Sequence, residues 1–338
     1  MLFRDVAIES LTYELPANAV STADIEVALA PFYARTGLQA GCLAALTGVR
    51  ERRFWPIEVR PWQMAVRAGE RALAEAGLAP GEVDVLVSTS VCRDELEPSV
   101  ASGIHRALGL PPSCRNLDVG NACLGFLSGM AWVAGLIDAG LIRTGLVVAG
   151  EGSREVVEAT IDRLLAPEAT GADFGAHLAT LTLGSAAVAA VLTDGRRARN
   201  GHRLRGDVAL AATEHNDLCR GDLGGMKTDG TKLLEVGVGL ATRTWAEAAT
   251  AFRWDGSALA CYAMHQVSRV HHRTLSQTLG LPPGRAPEIF DILGNIGAAG
   301  VPVTLARALE AGQIQSGDTV ALMGIGSGLN CAIQELRW

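Results

Sequence analysis

Cys123 is the residue of this chain best placed to act as a nucleophile. It stands in Asn-Ala-Cys123-Leu-Gly-Phe, just ahead of an apolar stretch, Leu124–Ala139, that reads as a long buried helix. Unpaired backbone N–H groups and the positive end of a helix dipole meet at such a corner and favour thiolate over thiol. A thiol there is expected to titrate below its free value of about 8.5, making it a nucleophile near neutral pH. The plainer reading is a small buried apolar residue, which is what most intracellular cysteines are. Cys92, Cys114, Cys219, Cys261 and Cys331 lack the corner and keep that plainer reading.

Other residues can do chemistry, though none demands it alone. His265 follows the short apolar run Ala260–Met264 and is open to reading as a base or as a satisfied core residue. His271 and His272 fall in the helix after it and are expected to be partly exposed. Asn295 sits in Gly-Asn-Ile-Gly-Ala-Ala-Gly, where it could be only a turn former. Gly324-Ile-Gly-Ser327-Gly-Leu-Asn330 resembles a dinucleotide loop superficially, but no crossover helix and third strand follow it. Such a glycine-rich turn can instead offer a backbone N–H to an oxyanion. Glu97, before Pro98, reads by itself as an exposed loop charge. No His or Cys spacing suits a metal site.

The elements that must position these residues follow from the apolar pattern. Val83–Ser90, Gly145–Gly150, Ala186–Leu192 and Thr319–Met323 read as strands covered on both faces. Pro61–Ala76, Thr231–Phe252 and Pro302–Ala311 read as amphipathic helices between them, which predicts an α/β protein. The chain also repeats itself. Residues 117–152 and 290–326 each carry a strand ending in Asp, a turn, a helix closing at Ala-Gly and another strand. Cys123 lies 17 residues before Gly140, and Asn295 lies 17 before Gly312. The two are therefore expected at equivalent corners of two related halves, 1–195 and 196–338, brought together by a pseudo-twofold axis.

Composition bounds the function. The 338 residues are 49% hydrophobic, 19% charged and include 39 Gly, with a formal charge of −7. Disorder and a nucleic-acid partner are both poor fits to an apolar, mildly acidic chain with no basic stripe. Seven scattered Cys without a regular framework suit free thiols in a reducing cytoplasm. Arg4, Asp5 and Glu9 interrupt the start where a signal peptide would be apolar, and Phe174–Thr193 is too polar and glycine-broken to span a membrane. A soluble cytoplasmic protein that hides surface in an oligomer is expected.

Taken together, Asp118-Val-Gly-Asn-Ala-Cys123-Leu-Gly-Phe, His265-Gln, Gly294-Asn295-Ile-Gly-Ala-Ala and Gly326-Ser327-Gly328 resemble the thiolase superfamily in its ketoacyl synthase III branch. The resemblance implies a thiolase fold, with duplicated βαβαβαββ halves in a five-layer αβαβα sandwich. It implies that Cys123 is acylated, and that His265 and Asn295 hydrogen-bond the second substrate's carbonyl as it becomes an enolate. The backbone N–H groups of Cys123 and Ser327 would form the oxyanion hole. It implies acyl-CoA as substrate, no cofactor and no metal.

Within the branch, Thr89–Ser99, Thr213–Gly221 and Gly324–Asn330 resemble the OleA-type enzymes, which join two long-chain acyl-CoAs head to head. In those enzymes the glutamate matching Glu97 enters the active site from the partner subunit. The chemistry needs such a group. Joining two ordinary acyl thioesters requires removal of an α-proton, which a desolvated carboxylate can take. Loss of CO2 from malonyl requires no such base. Against a priming synthase stand Val267-Ser268 after His265-Gln266, Leu183-Gly184-Ser185-Ala186, and Cys42 and Leu46 in place of an adenine-holding Trp and Arg. Two alternatives stay open from the residues: decarboxylative ketoacyl synthase III chemistry or acyl transfer, and a silent partner of a related synthase. A homodimer is expected, with a heterodimer of related chains as the variant.

Overall fold

The apolar runs become the strands of one sheet in the computed structural model, which describes residues 1–93, 95, 97–222, 224–254 and 259–338. The sheet's strands are β1 (Leu2–Glu14), β2 (Val85–Ser88), β3 (Arg115–Asp118), β4 (Thr144–Glu151), β5 (Ala186–Asp194), β6 (Arg203–Ala211), β7 (Cys261–Met264), β8 (Thr319–Gly326) and β9 (Asn330–Arg337). Their order across it is β7-β8-β9-β6-β1-β5-β4-β2-β3. The repeat is written into that order. β5 lies antiparallel between β1 and β4, just as β9 lies antiparallel between β6 and β8. β1 and β6 pair antiparallel at the centre and join the two runs.

The strands are covered by α1 (Pro61–Ala76), α2 (Val100–Ala107), α3 (Gly125–Asp138), α4 (Gly230–Ala251), α5 (Arg269–Thr278) and α6 (Gly300–Glu310). α1 shows why these segments are helical. Pro61 opens it, Gly77 closes it at φ 63°, and Met64, Ala68, Ala72 and Ala76 recur every fourth residue on the buried face. α3 and α6 are different, being apolar nearly all round, because both of their sides are covered. Their Phe126, Leu127, Val133, Val301, Val303 and Leu305 share one core with Val6, Val87, Val188 and Leu322 of the strands. α1 and α2 close one outer face, and α4 and α5 the other. The result is the five-layer thiolase sandwich. Among the described residues no helix is long and apolar enough to cross a membrane.

Two details of the repeat differ from the sequence expectation. Phe290–Leu293, read as a strand ending at Asp291, is a short helix. The Gln266 Oε1 atom accepts from the Ile289 and Phe290 N–H groups at 2.8 and 3.2 Å, so they have no strand neighbour to seek. The second difference is one of register. α3 and α6 end identically, with left-handed glycines (Gly140 and Gly312) and the same pair of closing hydrogen bonds. Yet α3 has 14 residues and α6 only 11. Counting back from the glycines therefore overshoots by three: at the helix starts Cys123 matches Ala298, and Asn295 stands just before that turn.

Candidate active site

Cys123 is the middle residue of a tight turn, Ala122–Leu124, that runs directly into α3. Ala122 is held at φ 46°, a left-handed conformation that costs a residue with a side chain about 1–2 kcal/mol. Such local strain persists only where the surroundings over-determine it. Here they do. Asn121 donates to Ser128 Oγ at 3.0 Å and accepts from Asn330 Nδ2 at 3.2 Å, tying the corner to both α3 and β9. The turn also packs against Gly297–Ala299, at the start of α6, so the two corners of the repeat do meet.

The thiol is not the low-pKa group that its position suggested. Desolvation, followed by the negative charge of Glu151 and the nearby Cys219, pushes Cys123 up to about 12. Burial outweighs the helix end. At rest Cys123 is therefore a thiol, and its proton would have to leave in any attack by the sulfur. Alkylation of Cys123 by iodoacetamide, followed by peptide mapping, should be slow at pH 7 and keep accelerating above pH 9, where free cysteine levels off. Faster alkylation than free cysteine at pH 7 would contradict this.

His265 follows β7, and its backbone N–H donates to Met323 O at 2.9 Å. The ring is 4% exposed, and burial, with His271 at 6.3 Å between ring centroids, lowers it to about 3. It is a neutral imidazole. Its buried Nδ1 has no partner among the described residues and faces the start of α6, where a methyl group on Gly300 would stand 3.3 Å away. Nε2 is left as the nitrogen turned away from that helix. His272, expected partly exposed, is only 4% exposed because it packs on Phe290.

Asn295 is pinned by its backbone. It donates to Thr182 O at 2.8 Å and accepts from Gly184 N at 2.9 Å, and its Oδ1 accepts from Gly297 N at 3.1 Å. With the oxygen used, the Nδ2 amide remains to donate, and it makes no hydrogen bond among the described residues. The side chain is 5% exposed, so a donor left open there is costly unless a ligand takes it.

Ser327 lies in the tight turn between β8 and β9. Its N–H finds no acceptor among the described residues, and that of Cys123 meets only its own sulfur. The preceding Gly326 makes the approach possible. A Cβ there would stand 2.6 Å from Asn121 O and 3.3 Å from Leu124 Cβ. Gly326→Ala should therefore shift the Cys123 corner and slow acylation about a hundredfold, read as the burst of released thiol. An unchanged burst would show that the close approach is dispensable.

Glu97 is exposed and forms no hydrogen bond or ion pair among the described residues. Within one chain no hydrogen bond or ion pair among the described residues joins it to Cys123, His265 or Asn295. The roots of its loop are nevertheless fixed. Asp118 accepts from Val100 and Ala101 N–H at 3.0 and 2.8 Å on one side, beside the Ser99 cap of α2. On the other side is a residue that sequence reasoning missed, Glu151. Ending β4 and 2% exposed, it accepts from Val91 and Cys92 N–H and also from Ala298 N–H beside Asn295. Its signal was a charged residue continuing the fully buried strand Thr144–Gly150. Burial pushes its carboxyl above the usual range, against three N–H donors that hold it down.

Comparison with known proteins agrees with this architecture. The family described as 3-Oxoacyl-[acyl-carrier-protein (ACP)] synthase III C terminal matches residues 250–338. An acyl-CoA:acyl-CoA alkyltransferase of Xanthomonas campestris pv. campestris is 38% identical over 338 residues, covering 100% of both chains. One from Shewanella oneidensis is 39% identical over 350 residues, again covering 100% of both. A beta-ketoacyl-[acyl-carrier-protein] synthase III of Bacillus pumilus is 27% identical and covers 86% of this chain and 88% of its own. Crystal structures of Xanthomonas campestris OleA superpose with a TM-score of 0.97 over 100% of this chain, one of them with bound lauric acid and lauroyl-CoA. With full-length identity, fold and paired corners in agreement, the chain belongs to the acyl-CoA:acyl-CoA alkyltransferase (OleA) family, in the ketoacyl synthase III branch of thiolase-fold enzymes.

Proposed function

We propose that this enzyme joins two acyl-CoA molecules by a non-decarboxylative Claisen condensation. The Cys123 sulfur attacks the first thioester carbonyl, a new C–S bond forms, and coenzyme A leaves carrying the thiol proton. The N–H groups of Cys123 and Ser327 stabilise the oxyanion at this stage. A second acyl-CoA then binds with its carbonyl between His265 and the Asn295 amide. Glu97 of the partner subunit removes its α-proton, and the enolate attacks acyl-Cys123. The sulfur departs, leaving a 2-alkyl-3-ketoacyl product whose remaining thioester hydrolyses to a β-keto acid.

The observation that carries this reading is the full-length kinship with acyl-CoA:acyl-CoA alkyltransferases, joined to a site whose Asn295 amide and Ser327 N–H find no acceptor among the described residues. Val238, Leu275, Met323 and Ile325 give His265 an apolar surround on one side. On the same reading, residues 1–195 supply the nucleophile and 196–338 supply His265 and Asn295. No cofactor takes part, acyl-CoA being the substrate. The working unit is a cytoplasmic homodimer, and a related chain carrying the same glutamate could replace one subunit.

A pulse and chase tests it. Enzyme loaded with one saturated acyl-CoA, freed of excess and chased with another of different length, should give a product whose carbons sum both chains. A product extended by two carbons, and only after malonyl is added, would sink the proposal.

A further inference from the structure

The Glu151 carboxyl joins segments far apart in the chain. Its Oε1 accepts from Val91 N at 3.0 Å and from Ala298 N at 3.1 Å, and its Oε2 accepts from Cys92 N at 3.1 Å. Val91 and Cys92 are the root of the loop that carries Glu97. Ala298 lies in the turn that follows Asn295. The carboxyl is therefore a single fixed point between the two.

The chain is shaped to let that contact form. Gly297 sits at φ 58°, and a Cβ on it would stand 2.9 Å from the Glu151 carboxyl carbon. Any side chain there would push the turn off the carboxyl. Both oxygens are used, and the residue is buried where water cannot substitute for a lost acceptor. Removing it leaves three N–H groups unsatisfied at once, on both sides of the site.

We propose that Glu151 is a positioning residue for the condensation step, holding the Asn295 turn and the root of the Glu97 loop as one hydrogen-bonded unit. This rests on the condensation reading above. Acylation of Cys123 uses the corner and the Ser327 turn, which Asn121 and Asn330 tie to α3 and β9 without Glu151. Condensation additionally needs Asn295 and Glu97. Because Glu97 acts in the partner's site, each Glu151 serves its own site through Asn295 and the neighbouring one through the loop.

The distinguishing readout is the fate of the acyl enzyme. With one saturated acyl-CoA as sole substrate, Glu151→Ala should not slow the Cys123 acylation burst, since it also removes the charge that raises the thiol. Condensed product should fall at least tenfold, and free fatty acid from hydrolysed acyl-Cys123 should rise. Glu151→Gln should recover part of the condensation, since its amide oxygen can still accept from Val91 and Ala298. Gly297→Ala should give the same shift from the other side of the contact, and decides the matter if the Glu151 variants do not fold. Burst and condensation falling by equal factors, or an unchanged ratio in folded variants, would overturn the proposal. Wild type run alongside separates the two ideas: absence of its condensed product defeats the reaction assignment, whereas the ratio of variant to wild type speaks to Glu151.

Discussion

Glu97→Gln should reduce condensed product by about 10²–10⁴-fold while acyl-Cys123 still forms at close to the wild-type rate. Gln has nearly the shape of Glu but cannot accept a proton from carbon. The α-proton of an ordinary acyl thioester has no other route out, because no carboxylate is lost in its place. Enzyme preloaded from acyl-CoA should then show its adduct on Cys123 by intact mass and lose it only slowly, as fatty acid. A variant that keeps full turnover would remove Glu97 from the reaction. The position of Glu97 makes a sharper version available. It is exposed and unbonded within its own chain among the described residues, while the roots of its loop are fixed by Asp118 and Glu151. A dimer mixed from Glu97→Gln and Cys123→Ala chains should regain activity, since one of its two sites then has both groups. Each homodimer should remain inactive. Failure to complement would mean that Glu97 works, if at all, in its own chain.

Cys123→Ala should abolish adduct formation and lower turnover by roughly 10³-fold or more, to the background of thioester hydrolysis. Little else should change, because the corner is held by Asn121, Asn330 and the start of α3 and not by the sulfur. Thermal unfolding of the variant should match wild type or rise slightly. Removing a thiol whose pKa burial raises to about 12 also removes one contribution to alkaline instability. The folded form holds that proton while the unfolded chain releases it near 8.5, so the stability it contributes is lost as pH rises through that interval. A folded variant that still acquires an acyl group elsewhere would displace Cys123 as the nucleophile.

Much of this site was legible in the residues. The apolar runs located the strands that flank Cys123, and the apolar, glycine-rich content of Leu124–Ala139 marked a helix covered on both sides. What failed has physical causes. Phe290–Leu293 has a strand's composition, but the side chain of Gln266, folded over from another segment, occupies its backbone donors. The repeat suggested that Cys123 and Asn295 share a register, but α6 is three residues shorter than α3, and a helix length shows only when both ends are seen. The nucleophile's acidity was misjudged because a helix end acts locally, whereas desolvation depends on everything folded around the sulfur. Glu151 was passed over because a charge flanked by glycines reads as a strand terminus. Its three donors come from residues 59, 60 and 147 positions away, which no local pattern reveals.

The central claim is that both halves of the product come from ordinary acyl thioesters. Purified enzyme given one saturated acyl-CoA and nothing else should release coenzyme A and form a β-keto acid of twice the chain's carbon number, or the ketone left after that acid loses CO2. If coenzyme A is released but a condensed product appears only when malonyl is supplied, the enzyme is a decarboxylative synthase and the account is wrong.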